Sequence, residues 1–444
     1  TVFTAGTLAA PTKLDSLFKG WFDKNGNEVT DENPAKAGNT YYAKWDDAQL
    51  SGNCGAVDSS GNFGSNAKWN LTPNGNGYTL TIYGSGKMAD FKGNITKPDS
   101  TQPWNVSKTG VPYSAITAVT VAPQVTNIGK YAFNGLGSVE TYNIATTVTD
   151  IATWGIDTES AKTFNIGSSK SFTLVDGVLM TADKATLIAY PGGADAVAEY
   201  VIPSTVTNVV GGAFVGCDAQ KVVIPETVTY FPAWSFSAST TEEIVFNASM
   251  TEIVSGMFVG LPELKTLDLG TRLTKIGEGA SYNLPNVKEL VIPASVTSIG
   301  AQAFKNLTGA GGTEKVTFAG NLPDMENSPF LRQNRLTTVD LSNSTTFGTI
   351  NWSFFGAESV AAYYFDTQEH AEMLTRKSIN KTKAIFAVLN GGSIPADKGY
   401  YDDCHDDAGS LVLVTPKKDG YDFKGWSTDP MTDPDAAGLY QPGG

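Results

Sequence analysis

A short string closing in Ala-Phe recurs along the chain at nearly constant spacing, and this self-similarity limits the fold more tightly than any single motif. It stands out in Ile128-Gly-Lys-Tyr-Ala-Phe133, Val209-Val-Gly-Gly-Ala-Phe214 and Ile299-Gly-Ala-Gln-Ala-Phe304. Looser copies close at Ile156, Phe236, Phe258, Ser281, Phe330 and Phe355. The step between copies is 22 to 26 residues except for one step of 58, from Ile156 to Phe214.

Between the copies lie pairs of apolar residues two apart: Val119/Val121, Tyr142/Ile144, Phe164/Ile166, Tyr200/Ile202, Val222/Ile224, Ile244/Phe246, Leu267/Leu269, Leu290/Ile292, Val316/Phe318, Val339/Leu341 and Tyr363/Phe365. Alternation of this kind marks a strand with one buried face. Pro123, Pro203, Pro225 and Pro293 follow several of these pairs; proline cannot donate to a ladder, so the chain leaves the sheet there. A unit of one strand and one return cannot close its own core. Neighbouring units must stack, which predicts a β-rich solenoid with a parallel sheet along one side, irregular returns and the Ala-Phe column inside.

The long step has a local explanation in an inserted hairpin over 171–190. Asp176-Gly177 separates Phe172-Thr-Leu-Val175 from Val178-Leu-Met180, and Asp-Gly supplies the positive φ angles of a type I′ turn.

Val291-Ile-Pro-Ala-Ser-Val-Thr-Ser-Ile-Gly-Ala-Gln-Ala-Phe304 resembles the BspA-like leucine-rich repeats of bacterial surface proteins throughout its length. Ser51-Gly-Asn-Cys-Gly55, Tyr78-Thr-Leu-Thr-Ile-Tyr-Gly84 and Gln102-Pro-Trp104 are similar to that family's N-terminal cap, which covers the first open core. The resemblance implies a right-handed leucine-rich-repeat solenoid. The flanks resemble a second family, the Listeria-Bacteroides repeat, a small β-grasp-like module. Phe18-Lys-Gly-Trp-Phe22 with Tyr41-Tyr-Ala-Lys-Trp45 is similar to its second half; Ile385-Phe-Ala-Val-Leu-Asn-Gly-Gly392 with Gly420-Tyr-Asp-Phe-Lys-Gly-Trp426 is similar to its first. The expected organisation is a partial module at 1–46, a cap at 47–115, repeats over 116–383 and a second partial module at 384–444. The two incomplete modules point to a longer parent protein.

Composition narrows the function. With 45 acidic and 31 basic residues the formal charge is −14, so nucleic acid and anionic membrane surfaces would repel the chain. No apolar run approaches the roughly 20 residues that cross a bilayer. Cys54, Cys217 and Cys404 are odd in number and far apart, and offer neither a disulfide framework nor a metal site.

Chemistry is sparse. Only His370 and His405 could serve as imidazole bases, and neither lies in a catalytic motif. His370, in Gln368-Glu-His-Ala, reads as the solvated surface of a late turn or helix. Asp402-Asp-Cys-His-Asp-Asp407 holds metal-ligand types, but contiguous ligands seldom converge on an ion, and the stretch reads as a solvated acidic loop. No catalytic residue, metal or cofactor is expected.

In each strand the residues between the buried pair point outward. The middle outward column is Thr120, Asn143, Asn165, Val201, Val223, Val245, Asp268, Val291, Thr317, Asp340 and Tyr364. Beside it runs Ala118, Thr141, Thr163, Glu199, Lys221, Glu243, Thr266, Glu289, Lys315, Thr338 and Ala362. An apolar ridge with a charged border suits protein contact, although valine favours any strand on packing grounds alone. The expected ligand-binding residues are therefore Val201, Val223, Val245, Val291, Lys221, Glu243, Asp268 and Glu289. What the resemblance implies is an extracellular, non-catalytic bacterial surface protein that holds a protein or glycan of a host or neighbouring cell. The alternative is a structural spacer that displays domains beyond its two ends.

Overall fold

A computed structural model describes residues 2–3, 8–9, 11, 16–92, 101–307, 311–349, 359–375, 385–405 and 410–427. The chain is a β-solenoid divided into two compact units. The first comprises 1–194 with 212–214, and the second 195–211 with 215–444.

In the first unit, β1 (Ser16–Phe22) pairs antiparallel with β2 (Tyr42–Asp47), and Phe18 lies edge-on to both Trp21 and Trp45. Next, β3 (Ser51–Val57), β4 (Phe63–Pro73) and β5 (Tyr78–Gly84) form an antiparallel meander. From β5 onward the pairing is parallel, through β6 (Ile116–Val121), β7 (Thr141–Ile144) and β8 (Thr163–Asn165). Over the first open coil sits buried Trp104, in ring contact with Trp69, Phe91 and Phe133. Gln102 completes this seal: its amide donates to the carbonyls of Tyr131, Ala132 and Asn134 at 2.7, 3.0 and 3.1 Å, and it accepts from the Tyr113 hydroxyl at 2.6 Å.

The insert folds as expected. β9 (Phe172–Val175) pairs antiparallel with β10 (Val178–Thr181), and Asp176 and Gly177 carry φ of 50° and 82°, as a type I′ turn demands. β11 (Thr186–Ala189) then runs back along β10.

In the second unit β12 (Glu199–Val201), β13 (Lys221–Ile224), β14 (Glu243–Phe246) and β15 (Thr266–Asp268) form one parallel sheet. β16 (Glu289–Ile292), β17 (Lys315–Phe318), β18 (Thr338–Asp340), β19 (Ala362–Phe365) and β20 (Ile385–Val388) form another. β20, in the stretch expected to open the second partial module, is thus a rung of the solenoid sheet. After β13 and β16 the chain turns at once, the N–H groups of Val228 and Val296 closing onto the carbonyls of Pro225 and Pro293.

Nearly all the inward-pointing residues predicted from alternation are buried; Tyr200 is half-buried. The closing column is buried at Phe133, Ile156, Phe214, Phe236, Phe258, Ser281, Phe304 and Phe330, whereas Phe355 falls outside the described residues. Two residues before each of these closing positions the backbone is left-handed: Tyr131, Trp154, Gly212, Trp234, Gly256, Gly279, Gln302 and Ser328 all have φ between 49° and 85°. Glycine meets that demand at three coils, and elsewhere a side chain bears a cost of about 1–2 kcal/mol that the stacked neighbours must outweigh. Threonine hydroxyls add a seam: Thr149, Thr229, Thr274 and Thr297 each donate to a threonine carbonyl one coil back, at 3.1 to 3.2 Å.

Candidate functional site

Alternation places eight predicted binding residues on the outer face of the second unit, and pairing decides which of them meet. Val201, Val223, Val245 and Asp268 are direct neighbours across β12 to β15, as are Glu199, Lys221, Glu243 and Thr266. Val201 is 52% exposed, while Val223 and Val245 are half-buried. Lys221 bridges Glu199 at 3.5 Å and Glu243 at 3.0 Å, and its hydrogen bond to Glu243 raises the ammonium above its ordinary range. This part of the face is a valine row beside a row of charges paired through one lysine.

Glu289 and Val291 stand apart from it. Among the described residues no ladder joins β15 to β16, although the same two coils stay paired on their other sides, Lys275 with Ser298 and Ser281 with Phe304. Within the second unit the described ladder is therefore interrupted at this point. A cleft of about 1010 Å³ opens there, lined by Asp268, Leu269, Glu289, Val291, Ser295 and Tyr400 among others. Asp268 ends its strand in a turn, its carboxylate accepting from the Gly270 N–H at 2.9 Å. Glu289 is anchored by Lys315 at 3.0 Å, by the Tyr400 hydroxyl at 3.0 Å and by Thr317 at 3.2 Å. Burial, reinforced by the bond to Glu289, pushes the Tyr400 phenol up to about 12.

The rest of the outward column departs from expectation. Asp340, Tyr364, Lys315, Thr338 and Ala362 are buried, not exposed. The cause is the chain after β20, which lies over this face. Cys404 meets Thr338 at 3.4 Å, the Val414 N–H donates to the Tyr364 hydroxyl at 3.1 Å, and the Tyr401 N–H donates to Glu314 at 3.1 Å. Arg335 pairs with Glu314 at 2.8 Å and lies over the Tyr401 ring. Ala362, Tyr364, Ala387, Leu389, Ile394, Cys404 and Val414 make a separate apolar cluster. Cys404, in the stretch expected to be a solvated acidic loop, is buried against the sheet, although Asp402 is exposed. Sequence reasoning missed Tyr400, Ser295 and the opening itself; Pro395 and the aromatic pair Tyr400-Tyr401 were the available hints of a covering segment.

His370 lies in α1 (Gln368–Thr375), half-buried, and His405 stacks on Tyr401 with centroids 4.4 Å apart. Among the described residues no three Asp, Glu, His or Cys side chains converge as a metal site, and no helix is long and apolar enough to cross a membrane.

Stacked strand-and-return coils with an outer sheet face define a leucine-rich-repeat solenoid. Residues 109–177 and 193–311 match the BspA type leucine rich repeat region, in six copies. Residues 383–437 match the Listeria-Bacteroides repeat domain. Solved structures similar to it include the pneumococcal vaccine antigen PcpA, at 16% identity and TM-score 0.38, with 76% of this chain and 99% of that chain covered. A leucine-rich repeat protein from Bacteroides ovatus matches at 17% identity and TM-score 0.31, covering 67% and 80%. A leucine rich cell surface protein from Faecalibacterium prausnitzii matches at 15% identity and TM-score 0.33, covering 70% and 96%. No curated protein sequence matches the chain.

Proposed function

We propose that the chain is a non-catalytic adhesive protein of the bacterial surface or its secretions, which binds a protein or glycan of a host or neighbouring cell through the outer sheet face of its second unit. The observation that carries this reading is the row Val201, Val223 and Val245, set beside the Glu199–Lys221–Glu243 ion pairs and open to solvent at Val201. Such a row offers apolar area bordered by charge that is already satisfied, so a partner need not strip water from an unpaired ion to reach it. In this reading 1–46 and 384–444 are partial Listeria-Bacteroides modules flanking a cap at 47–115 and repeats over 116–383. The similarity to surface repeats supports the location.

The test is solid-phase binding of the chain to extracellular-matrix proteins, mucins and bacterial surface glycans, beside a folded Val223→Asp/Val245→Asp variant. Saturable binding that the variant loses supports the reading. No binding across the panel, or binding the variant keeps, rejects the valine face as the site.

A further inference from the structure

The chain covers one stretch of its own outer face, and that contact shows what an equivalent, uncovered stretch can hold. β16 and β17 pair in the register Glu289–Lys315 and Val291–Thr317. Tyr400, from the chain after β20, rests on this pair. Its hydroxyl donates to Glu289 Oε2 at 3.0 Å, while Oε1 of the same carboxylate is held by Lys315 and the Thr317 hydroxyl. The Tyr400 ring centre lies 5.8 Å from the Lys315 ammonium, and Tyr400 and Val291 line the same cleft. Gly399 permits the close approach: its φ is 93°, and a Cβ there would stand 3.2 Å from Thr338 Cγ2 and 3.3 Å from Lys315 Cδ. Glutamate and valine on one strand, lysine on the next, and a Gly-Tyr pair laid over them make one seat.

The same strand pair recurs, uncovered, at β12 and β13. Glu199-Tyr-Val-Ile-Pro203 and Lys221-Val-Val-Ile224 stand against Glu289-Leu-Val-Ile-Pro293 and Lys315-Val-Thr-Phe318. The register is identical, with Glu199 beside Lys221 and Val201 beside Val223. Glu199 Oε1 meets Lys221 at 3.5 Å, and Oε2, the atom that Tyr400 reaches on Glu289, has no partner among the described residues. Val201 and Val291 are exposed alike, at 52% and 45%. Two positions differ. Val223 stands for Thr317, which makes the floor more apolar, and Glu243 stands for Thr338, which gives Lys221 a second carboxylate at 3.0 Å.

We propose that Glu199, Val201 and Lys221 form an open second seat that takes a glycine–tyrosine pair from a loop of a partner protein, the phenol donating to Glu199 Oε2 and its ring lying on Val201 beside Lys221. A phenol gives one hydrogen bond to a carboxylate that already has its cation, brings no charge to desolvate, and covers exposed valine with an aromatic face. Phenylalanine would leave Glu199 Oε2 covered without a donor. A side chain in place of the glycine would hold the backbone off the Lys221 stem. Buried tyrosines are among the residues that carry most of an interface's binding energy.

This names the partner chemistry for the outer-face binding proposed above and rests on that reading. The probe is a fluorescein-labelled, C-terminally amidated peptide copying 394–400, Ile-Pro-Ala-Asp-Lys-Gly-Tyr, followed by anisotropy with the whole chain. Two control peptides carry Tyr400→Phe and Gly399→Val. Saturable binding of the parent peptide is expected, about tenfold weaker with Tyr400→Phe, the worth of one hydrogen bond to a charged group, and weaker again with Gly399→Val. In the chain, Glu199→Lys and Val201→Asp, both at exposed positions, should each weaken binding by about tenfold. Bound peptide should slow hydrogen exchange at 199–201 and 221–223. No saturable binding, equal binding of the three peptides, or binding indifferent to both variants overturns the proposal. So does protection of 289–292 with faster exchange at 400–404, because the peptide would then have displaced Tyr400 from its own seat. Panel binding lost in Val223→Asp/Val245→Asp while the peptide fails to bind overturns the tyrosine seat and leaves the valine face standing. Glycan capture lost in Glu199→Lys, with no peptide binding, overturns it in favour of a saccharide. Peptide binding lost in Glu199→Lys, with panel binding absent, supports the seat and rejects only the panel ligands.

Discussion

Raising the pH from 4 to 7 is expected to loosen the coil around Asp157. Its carboxylate accepts from the Gly135 N–H at 2.8 Å and the Glu159 N–H at 3.2 Å, is buried, and has no cation beside it among the described residues. Burial is the dominant influence and pushes the carboxyl from its ordinary 3.8 up to about 6. The native state then holds a proton that the unfolded state has released between about pH 4 and pH 6. Stability therefore falls as pH rises through that window and levels off above it. The difference amounts to about 3 kcal/mol, from about 1.4 kcal/mol per tenfold change in proton affinity. Asp23, Asp58 and Asp183 act in the opposite sense: backbone N–H groups for the first two, and the Thr181 hydroxyl first for the third, lower their carboxyls. Their contribution is lost only as pH falls below 3.8, so the windows separate. Hydrogen exchange of 133–145 and 155–160, corrected for intrinsic rates, reads the effect locally, which suits a repeat protein that need not unfold as one unit. Asp157→Asn should abolish the slope between pH 4 and 6, at a uniform cost of about 1 kcal/mol for the acceptor it loses. An unchanged slope in that variant would refute the assignment to Asp157.

The interior column and the cap yield two further tests. Phe214→Ala and Phe304→Ala should each destabilise their coils by about 3–5 kcal/mol in denaturant unfolding, because both rings are buried and stacked, on Tyr190 and Phe330 respectively; a loss under about 1 kcal/mol would contradict this packing. Gln102→Leu leaves the carbonyls of Tyr131, Ala132 and Asn134 without their amide donor and should cost about 2–4 kcal/mol, seen as faster exchange across 129–136. Unchanged exchange there would mean the cap is held by Trp104 packing alone.

The repeat period, the inward alternation and the Asp176-Gly177 hairpin could all be read from the chain because each depends on local periodicity or local dihedral demand. Burial of Val222, Ile244, Leu290 and Phe304 follows from spacing alone, since a coil of about 23 residues has one inward face and must stack to bury it. The left-handed position before each closing residue was obscured because Tyr131, Trp154, Trp234, Gln302 and Ser328 stand where glycine would have announced it. The candidate face divides along the same line. That Val201, Val223 and Val245 align was legible from the period, but their exposure depends on what lies over the sheet. Asp340 and Tyr364 belong to the same outward column and are buried because the later chain folds over it, reaching Tyr364 from as far as Val414, 50 residues further on. Nor could periodicity show that the ladder opens between β15 and β16, because the spacing from Leu267 to Leu290 is the ordinary 23 residues. Repetition along the chain dictates which side of a strand faces inward; whether adjacent coils close, and what covers their outer face, is decided by contacts between residues far apart in the chain.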